Sequence, residues 1–183
     1  MKITREMALE IVLRLANDPD GRVRADAYAN ILMPQDKLSK LVRNPKAERE
    51  EKIAVASNPN TLPEDLDFLT NDSVTWGVKE AVAKNPSTRI ETLEKLAKDK
   101  HYSVKQAVLC NPNVTPEIVE ELSHDPNLWT RKAVLDAINK NAKEAEWFLL
   151  KKDRLLPILY FLYKIYESNI DFLYRELLIK LII

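Results

Sequence analysis

Pairs of apolar residues three positions apart recur along most of the chain. The pairs are Val12 and Leu15, Leu38 and Leu41, Leu66 and Leu69, Leu93 and Leu96, and Val119 and Leu122. Residues three apart lie on one face of an α-helix, so each pair predicts the buried stripe of a helix. A pair of small apolar residues follows the later ones: Ala54-Val55, Ala81-Val82, Ala107-Val108 and Ala133-Val134. These residues predict a second, shorter helix in each unit, against which neighbouring units can approach closely.

Asparagine marks the end of each unit. Asn30, Asn58, Asn85 and Asn111 are separated by 28, 27 and 26 residues, and Ala137 takes the fifth place after another 26. Pro follows the last three asparagines. Asn tolerates the left-handed turn at a helix C-terminus and Pro cannot continue a helix, so each Asn-Pro predicts a helix end. Self-similarity at this period is typical of a solenoid of stacked repeats.

Short polar residues predict where the helices start and where the chain turns. Thr61, Thr88 and Thr115 predict helix N-termini, because Glu follows the first two at capping-box spacing and Pro follows the third. A polar acceptor also lies three residues beyond the second apolar residue of every pair. These acceptors are Asp18, Asn44, Asp72, Asp99 and Asp125. Asp and Asn favour turns and helix N-caps because their side chains accept hydrogen bonds from free backbone amides.

The full repeat reads Leu-Ala-x-Asp, an aromatic residue, Val with a basic residue, Ala-Val and Asn-Pro. This pattern resembles the variant leucine-rich repeat family over residues 69–112 and, with lapses, over roughly 10–140. The resemblance implies a right-handed superhelix in which an α-helix alternates with a short 3₁₀- or α-helix, without β-sheet. Some family members are linked to an iron–sulfur cluster held by several cysteines; this chain has only Cys110, so that association is not carried over. Departures at Ile31, Glu51, Thr130 and Ala137 make the outer units degenerate, as terminal caps are.

The predicted fold is therefore all-α. It is a right-handed solenoid of about five repeats of 26–28 residues over residues 1–142, followed by a C-terminal helical cap over residues 143–183. The cap region is rich in large apolar residues, and charged residues interrupt it too often for a membrane span. A further hypothesis assigns residues 155–183 to a homodimer interface.

Composition narrows the classes of function. The 183 residues are 45% hydrophobic, which is enough for a core, and 28 basic residues balance 28 acidic ones. Zero net charge excludes a global attraction to nucleic acid or to anionic membranes. A single cysteine excludes a disulfide framework and suits a reducing compartment. The N-terminus has no apolar signal core, so the prediction is a cytoplasmic protein without a membrane span. Gly21 and Gly77 are the only glycines, which leaves no glycine-rich phosphate loop.

A ladder of basic residues is the strongest candidate binding feature. The ladder comprises the residues six positions before each asparagine or its equivalent: Arg24, Lys52, Lys79, Lys105 and Arg131. Stacked repeats would align them in a row that could bind phosphates or an acidic protein surface. Alternatively, each basic residue pairs with the Asp or Asn of its own or a neighbouring turn. We favour the structural pairing, because the family pattern itself has a basic residue here and the net charge is zero.

An aromatic row is the second candidate. Trp76, Tyr102 and Trp129 precede the second helices at intervals of 26 and 27 residues. Aromatic rings beside a basic ladder resemble a platform for single-stranded nucleic acid. Large rings also fill the wedge between stacked units, and we favour this packing role.

The remaining candidates for chemistry are isolated. His101 and His124 lie in different turns without recurring partners, and Cys110 stands where other units have small residues at a helix end. No catalytic constellation, cofactor site or metal site stands out. The sequence therefore favours a non-catalytic protein-interaction scaffold with an unidentified protein partner. The alternative is a nucleic-acid-binding helical-repeat protein that uses the basic ladder.

Overall fold

The computed structural model describes residues 3–71 and 75–150, and of residues 141–150 it describes only the helical backbone. Within these ranges the secondary structure consists of ten α-helices without a strand, as predicted for an all-α fold. The first helices of successive pairs are α1 (Arg5–Leu15), α3 (Gln35–Val42), α5 (Pro63–Phe68), α7 (Ile90–Ala97) and α9 (Pro116–Ser123). The second helices are α2 (Gly21–Ala29), α4 (Arg49–Ser57), α6 (Trp76–Lys84), α8 (Tyr102–Leu109) and α10 (Leu128–Leu150).

The chain divides into two units, Met1–Val134 and Leu135–Ile183. In the first unit the second helices pack on one another in chain order, α2 on α4, α4 on α6 and α6 on α8. Within pairs, α1 packs against α2, α3 against α4 and α7 against α8. First helices also contact one another, α3 with α5 and α7 with α9. Of the second unit, the described part is the α10 segment up to Leu150. Most of the predicted cap and all of residues 155–183 lie outside the described residues.

The core consists of the apolar positions of both helices in each pair. Leu38, Leu66 and Leu93 of the first helices are fully buried, and so are Val55, Val82 and Val108 of the second helices. The fifth pair departs from the predicted stripe, because Ile118 is buried beside Leu122 while Val119 is only half-buried. Residues three and four apart lie on nearly the same helix face, so a one-residue rotation of α9 exchanges the two.

Only in the first pair is the second helix shorter, with nine residues in α2 against eleven in α1, so the sequence-based expectation is wrong for the later pairs. α4 and α6 have nine residues each, whereas α5 between them has six. The last second helix is longer still, because α10 runs for 23 residues through Ala137 without ending there. Ala favours helix and no Pro follows it, so the stop signal of the earlier units is missing.

Three of the four unit-ending asparagines are helix C-caps, and these three do not adopt a left-handed turn. Asn30, Asn58 and Asn85 cap their helices with φ values of −69°, −74° and −70° and ψ values of 135°, 125° and 128°. This extended backbone carries no penalty for a residue with a side chain. The helices end where predicted, but Asn is required there for its side-chain amide rather than for an unusual φ.

Two of the three predicted helix N-caps are wrong. Thr115 accepts a hydrogen bond from the backbone N–H of Ile118 and caps α9 as predicted. The N-cap residues of α5 and α7 are Leu62 and Arg89, one position after Thr61 and Thr88. Both of these Thr side chains are buried, and their hydroxyls donate 2.6 Å hydrogen bonds to backbone carbonyl oxygens of the preceding helices, at Val55 and Val82.

The predicted polar turns are confirmed at the four described positions. Asp18, Asn44, Asp99 and Asp125 each accept a hydrogen bond from the backbone N–H two residues further on, at 2.7–3.0 Å. Asp72 lies outside the described residues. These turns directly precede α2, α4, α8 and α10.

Candidate functional site

The edge at which the second helices begin carries a row of exposed aromatic rings. Trp76, Tyr102 and Trp129 are 45%, 48% and 57% exposed, respectively. Trp76 and Tyr102 are the first residues of α6 and α8, and Trp129 is the second residue of α10. The fold therefore covers only about half of each side chain, and the packing role expected of these rings stays a prediction.

Cationic and imidazole groups lie against the rings of this row. The Arg49 guanidinium carbon is 5.8 Å from the centre of the Trp76 ring, and the Lys132 ammonium nitrogen is 5.5 Å from the centre of the Trp129 ring. The His101 ring lies 6.3 Å from the Trp76 ring at an angle of 38°. We call the set Arg49, Trp76, Lys100, His101, Tyr102, Trp129 and Lys132 the aromatic edge.

Gly77 makes room for the contact between Arg49 and Trp76. A Cβ atom at Gly77 would lie 2.8 Å from Nη2 of Arg49, which is closer than real Cβ contacts allow. Gly21 has the corresponding role at the start of α2, where a Cβ would lie 2.1 Å from a carboxylate oxygen of Glu48. The two glycines of the chain thus each admit a charged side chain from α4 or its N-cap to the start of another second helix.

The basic ladder lies beneath this edge, and four of its five members have partners within the fold. Lys79 donates a 3.0 Å hydrogen bond to the carboxylate of Asp99, and Lys105 binds Asp125 in the same way, each contact spanning 20 residues to the next turn. The side chains of Lys79 and Asp99 are only 14% and 8% exposed. Lys52 is half-buried in α4; the residue 20 positions further on, Asp72, lies outside the described part of the chain.

The two arginines of the ladder use their own turns instead. Arg24 donates from Nη1 to the carbonyl oxygens of Asp18 and Pro19, at 2.9 and 3.1 Å, and Arg131 donates in the same manner to Asp125 and Pro126, at 2.7 and 3.0 Å. Arg24 also forms 2.6 Å ion pairs with Glu48 and Glu51. Glu51 stands where most units have Val, so its buried carboxylate replaces an apolar contact by an ion pair between units.

The paired aspartates are held in their charged form. Burial alone would raise the pKa of Asp99, but the hydrogen bonds from the His101 backbone N–H and the Lys79 ammonium outweigh it and hold the pKa below the ordinary 3.8. Burial likewise opposes ionisation of Asp125, and the Lys105 ammonium and the Asn127 backbone N–H lower its pKa below the ordinary value. The ladder is therefore a set of satisfied ion pairs in these units, as the favoured pairing interpretation predicted.

A ladder of asparagine side chains joins the opposite, C-terminal ends of the second helices. The Asn85 amide donates hydrogen bonds of 2.7 and 2.9 Å to the carbonyl oxygens of Ala56 and Asn58 in the preceding unit. Asn58 bonds to Tyr28 and Asn30 in the same pattern. Asn111 repeats it with Ala83 and Asn85. Sequence reasoning missed these bonds between units, although the invariance of Asn over three units was a signal that a side chain, not only a turn, was required.

The other two candidate residues, His124 and Cys110, do not belong to the aromatic edge. His124 is exposed on α9 beside Ser123 and Glu120, and Cys110 is exposed at the end of α8. In the described part of the chain there is no group of His, Cys, Asp and Glu side chains that could hold a metal ion. No helix within those residues is both long and apolar enough to cross a membrane.

No protein-family model, curated protein or solved structure matches this chain. The resemblance to variant leucine-rich repeats therefore stays a prediction that rests on the repeat itself.

Proposed function

We propose that this chain is a non-catalytic scaffold that binds another protein along the aromatic edge. The single observation that supports the proposal is the repeated exposure of Trp76, Tyr102 and Trp129 at the starts of successive second helices. Exposed aromatic residues that recur in register are costly to leave in water, and Trp and Tyr are the residues that most often dominate protein interfaces.

The proposed architecture is a right-handed solenoid of about five short repeats, related to the variant leucine-rich repeats and followed by a helical cap. Its supports are the repeat period and the consecutive packing of α2, α4, α6 and α8. Such an array is rigid over its first four units, because asparagine amides join each of these units to the next. A rigid surface binds without a large ordering cost, so the aromatic edge would be available in its binding conformation before a partner arrives.

Site-specific photocrosslinking in the native cell tests this proposal. A photoreactive phenylalanine analogue at Tyr102 or Trp129 is expected to form covalent adducts with a protein. The same analogue at Phe68 or Ile90, which are about as exposed but lie on first helices, serves as the matched control. Absence of protein adducts at positions 102 and 129, or equal adducts at the control positions, would contradict the scaffold proposal.

Nucleic-acid binding remains the second candidate, because exposed rings beside cations can stack on bases. Its original support, the basic ladder, is weaker than expected, since Lys79, Lys105, Arg24 and Arg131 are engaged within the fold. Phosphate binding strengthens as salt falls. Fluorescence anisotropy with single-stranded and duplex DNA or RNA in low salt tests this candidate. No change in anisotropy near micromolar protein would remove it. Binding that is abolished by Trp76→Ala and Trp129→Ala would support it.

A further inference from the structure

The segments that carry the rings have charged side chains of one sign, although Arg49 of the aromatic edge also pairs with the exposed Glu50 at 3.7 Å. The three segments that carry its rings are residues 75–78, 100–103 and 126–132. Their charged side chains are all basic or imidazole: Lys100, His101, Arg131 and Lys132. The aspartates of the adjoining turns, Asp99 and Asp125, are buried and neutralised by Lys79 and Lys105. The N-termini of α6, α8 and α10 add partial positive charge at the same edge. An acidic partner would therefore complement this edge.

The spacing of the rings restricts the shape of that partner. Packed helices lie about 8–10 Å apart, so the starts of α6 and α8, which pack together, are separated by about that distance. A polyproline II segment rises about 3.1 Å per residue and has three residues per turn, so one of its faces repeats every ~9 Å. A segment in this conformation matches the helix spacing with one residue in three. Rings on which proline and other apolar side chains can lie are the usual means of binding such segments.

A nucleic-acid strand fits these features less well. Binding to single strands combines ring stacking with a positively charged groove that follows the phosphates. Here the lysines that would form that groove, Lys79 and Lys105, are occupied by Asp99 and Asp125. Of the remaining exposed cations, Arg49 and Lys132 lie over the rings of Trp76 and Trp129, and Lys100 precedes Tyr102 by two residues in the chain. Isolated cations of this kind suit carboxylates between apolar anchors.

We propose that the aromatic edge binds an acidic, proline-containing segment of another protein in the polyproline II conformation, with a proline or apolar residue on each ring and carboxylates facing Lys100 and Lys132. The proposal rests on the scaffold function and specifies its partner. Anchors at positions i and i+3 would lie on Trp76 and Tyr102, and a further anchor along the segment would lie on Trp129. Asp or Glu residues between the anchors would face the cations.

Selection of a random twelve-residue peptide display library on the full chain tests the proposal. The selected peptides are expected to carry more Asp and Glu than Lys and Arg, and to repeat Pro or an apolar residue every three positions. Selection on the triple variant Trp76→Ala/Tyr102→Ala/Trp129→Ala is expected to lose these peptides. The double variant Phe68→Ala/Ile90→Ala is expected to keep them and serves as the control for altered exposed apolar residues.

A selected peptide then gives quantitative outcomes by fluorescence anisotropy. Lys132→Glu together with Lys100→Glu is expected to weaken binding at least tenfold, and raised salt is expected to weaken it as well. Selected peptides without an acidic excess or without the three-residue period would overturn the proposal, as would tighter binding of a twelve-residue oligothymidine. If photocrosslinking at Tyr102 traps a protein while the library yields no such peptide, the scaffold function stands and this inference fails. If neither gives a result, both fail.

Discussion

The two ends of the second helices repeat with the same period but use it differently. At the C-terminal end, Asn58, Asn85 and Asn111 are buried, and each closes the junction with the preceding unit through two amide hydrogen bonds. At the N-terminal end, Trp76, Tyr102 and Trp129 recur just as regularly, yet about half of each side chain is exposed. Regular recurrence alone thus does not distinguish a structural residue from a binding residue. What separates them is whether the side chain's capacity for contacts is already used within the fold.

Removal of an asparagine from the C-terminal end should have the largest effect. In Asn85→Ala, the carbonyl oxygen of Ala56 loses the Asn85 amide, that of Asn58 keeps only the Thr61 backbone N–H, and the backbone N–H of Ser87 loses its acceptor. Each buried polar group left unsatisfied costs about 1–3 kcal/mol, so we expect the free energy of unfolding to fall by about 3 kcal/mol or more. Urea denaturation measures this change.

The matched control is Asn60→Ala. The Asn60 amide also donates to the preceding unit, at 2.6 Å to the carbonyl oxygen of Ile31, but in an exposed position. Water can replace an exposed donor, so we expect a loss below about 1 kcal/mol. Equal losses for Asn60→Ala and Asn85→Ala would show that burial of the asparagine ladder is not what joins the units.

Removal of a ladder lysine at the N-terminal end should have the next largest effect. Lys79→Met leaves the buried carboxylate of Asp99 without its ammonium partner, and we expect a loss of about 1–3 kcal/mol at neutral pH. Lys84→Met breaks an exposed pair with Glu80 four residues away, for which about 0.5 kcal/mol or less is expected. If Lys79→Met lowers the free energy of unfolding as little as Lys84→Met does, the ion pair with Asp99 is weak and Lys79 would be available to bind a partner.

The pH dependence of stability should distinguish the two variants further. Because the pKa of Asp99 is lowered in the folded chain, its contribution is present above the unfolded pKa of about 4 and is lost as the pH falls through the folded value. The difference in unfolding free energy between the wild type and Lys79→Met should therefore shrink as the pH falls below about 4. Denaturation curves at pH 7, 5, 4 and 3 measure it; a constant difference would show that Lys79 acts by packing alone.

The smallest effects concern the two glycines, where even the sign differs. The Cβ of Gly77→Ala is too close only to the flexible end of Arg49, and its 3.6 Å distance to Ile53 is an ordinary contact. The gain in helix propensity of up to about 1 kcal/mol should therefore leave the variant as stable as the wild type or more stable. Gly21→Ala meets the Glu48 carboxylate, which is tied to Arg24 and to a capping box, so it should destabilise the chain. Thermal unfolding of both variants checks the signs. Destabilisation by Gly77→Ala would indicate that Arg49 is held firmly on Trp76.

The helices and much of the core could be predicted from the sequence because both are local properties. The spacing of Leu38, Leu66 and Leu93 identifies the buried face of each first helix, and the fold buries all three. The lapse at Val119 and Ile118 arose because three- and four-residue spacings describe nearly the same face. The helix starts at Thr61 and Thr88 were wrong by one residue, since buried carbonyl groups of the preceding helix compete for the Thr hydroxyls.

The candidate site was only half predictable. Its residues recur in the sequence, so Trp76, Tyr102 and Trp129 could be found, and so could the basic ladder. Their roles were harder to assign from the sequence. Whether the rings are packed and whether the lysines are exposed both depend on residues 20 or more positions away. Arg49, Lys100 and Lys132 were not found at all, because they have no fixed place in the repeat.

By itself, the sequence determined that the chain is helical, that its units repeat every 26–28 residues, and which residues recur in each unit. Only the tertiary structure decided which recurring residues form their contacts within the fold and which remain exposed. It buried Lys79 against Asp99 and the Asn85 amide against the preceding unit, and it left Trp76 at the surface. The physical reason is that helix periodicity is set by bonds within a few residues, whereas burial and pairing are set by the neighbouring unit.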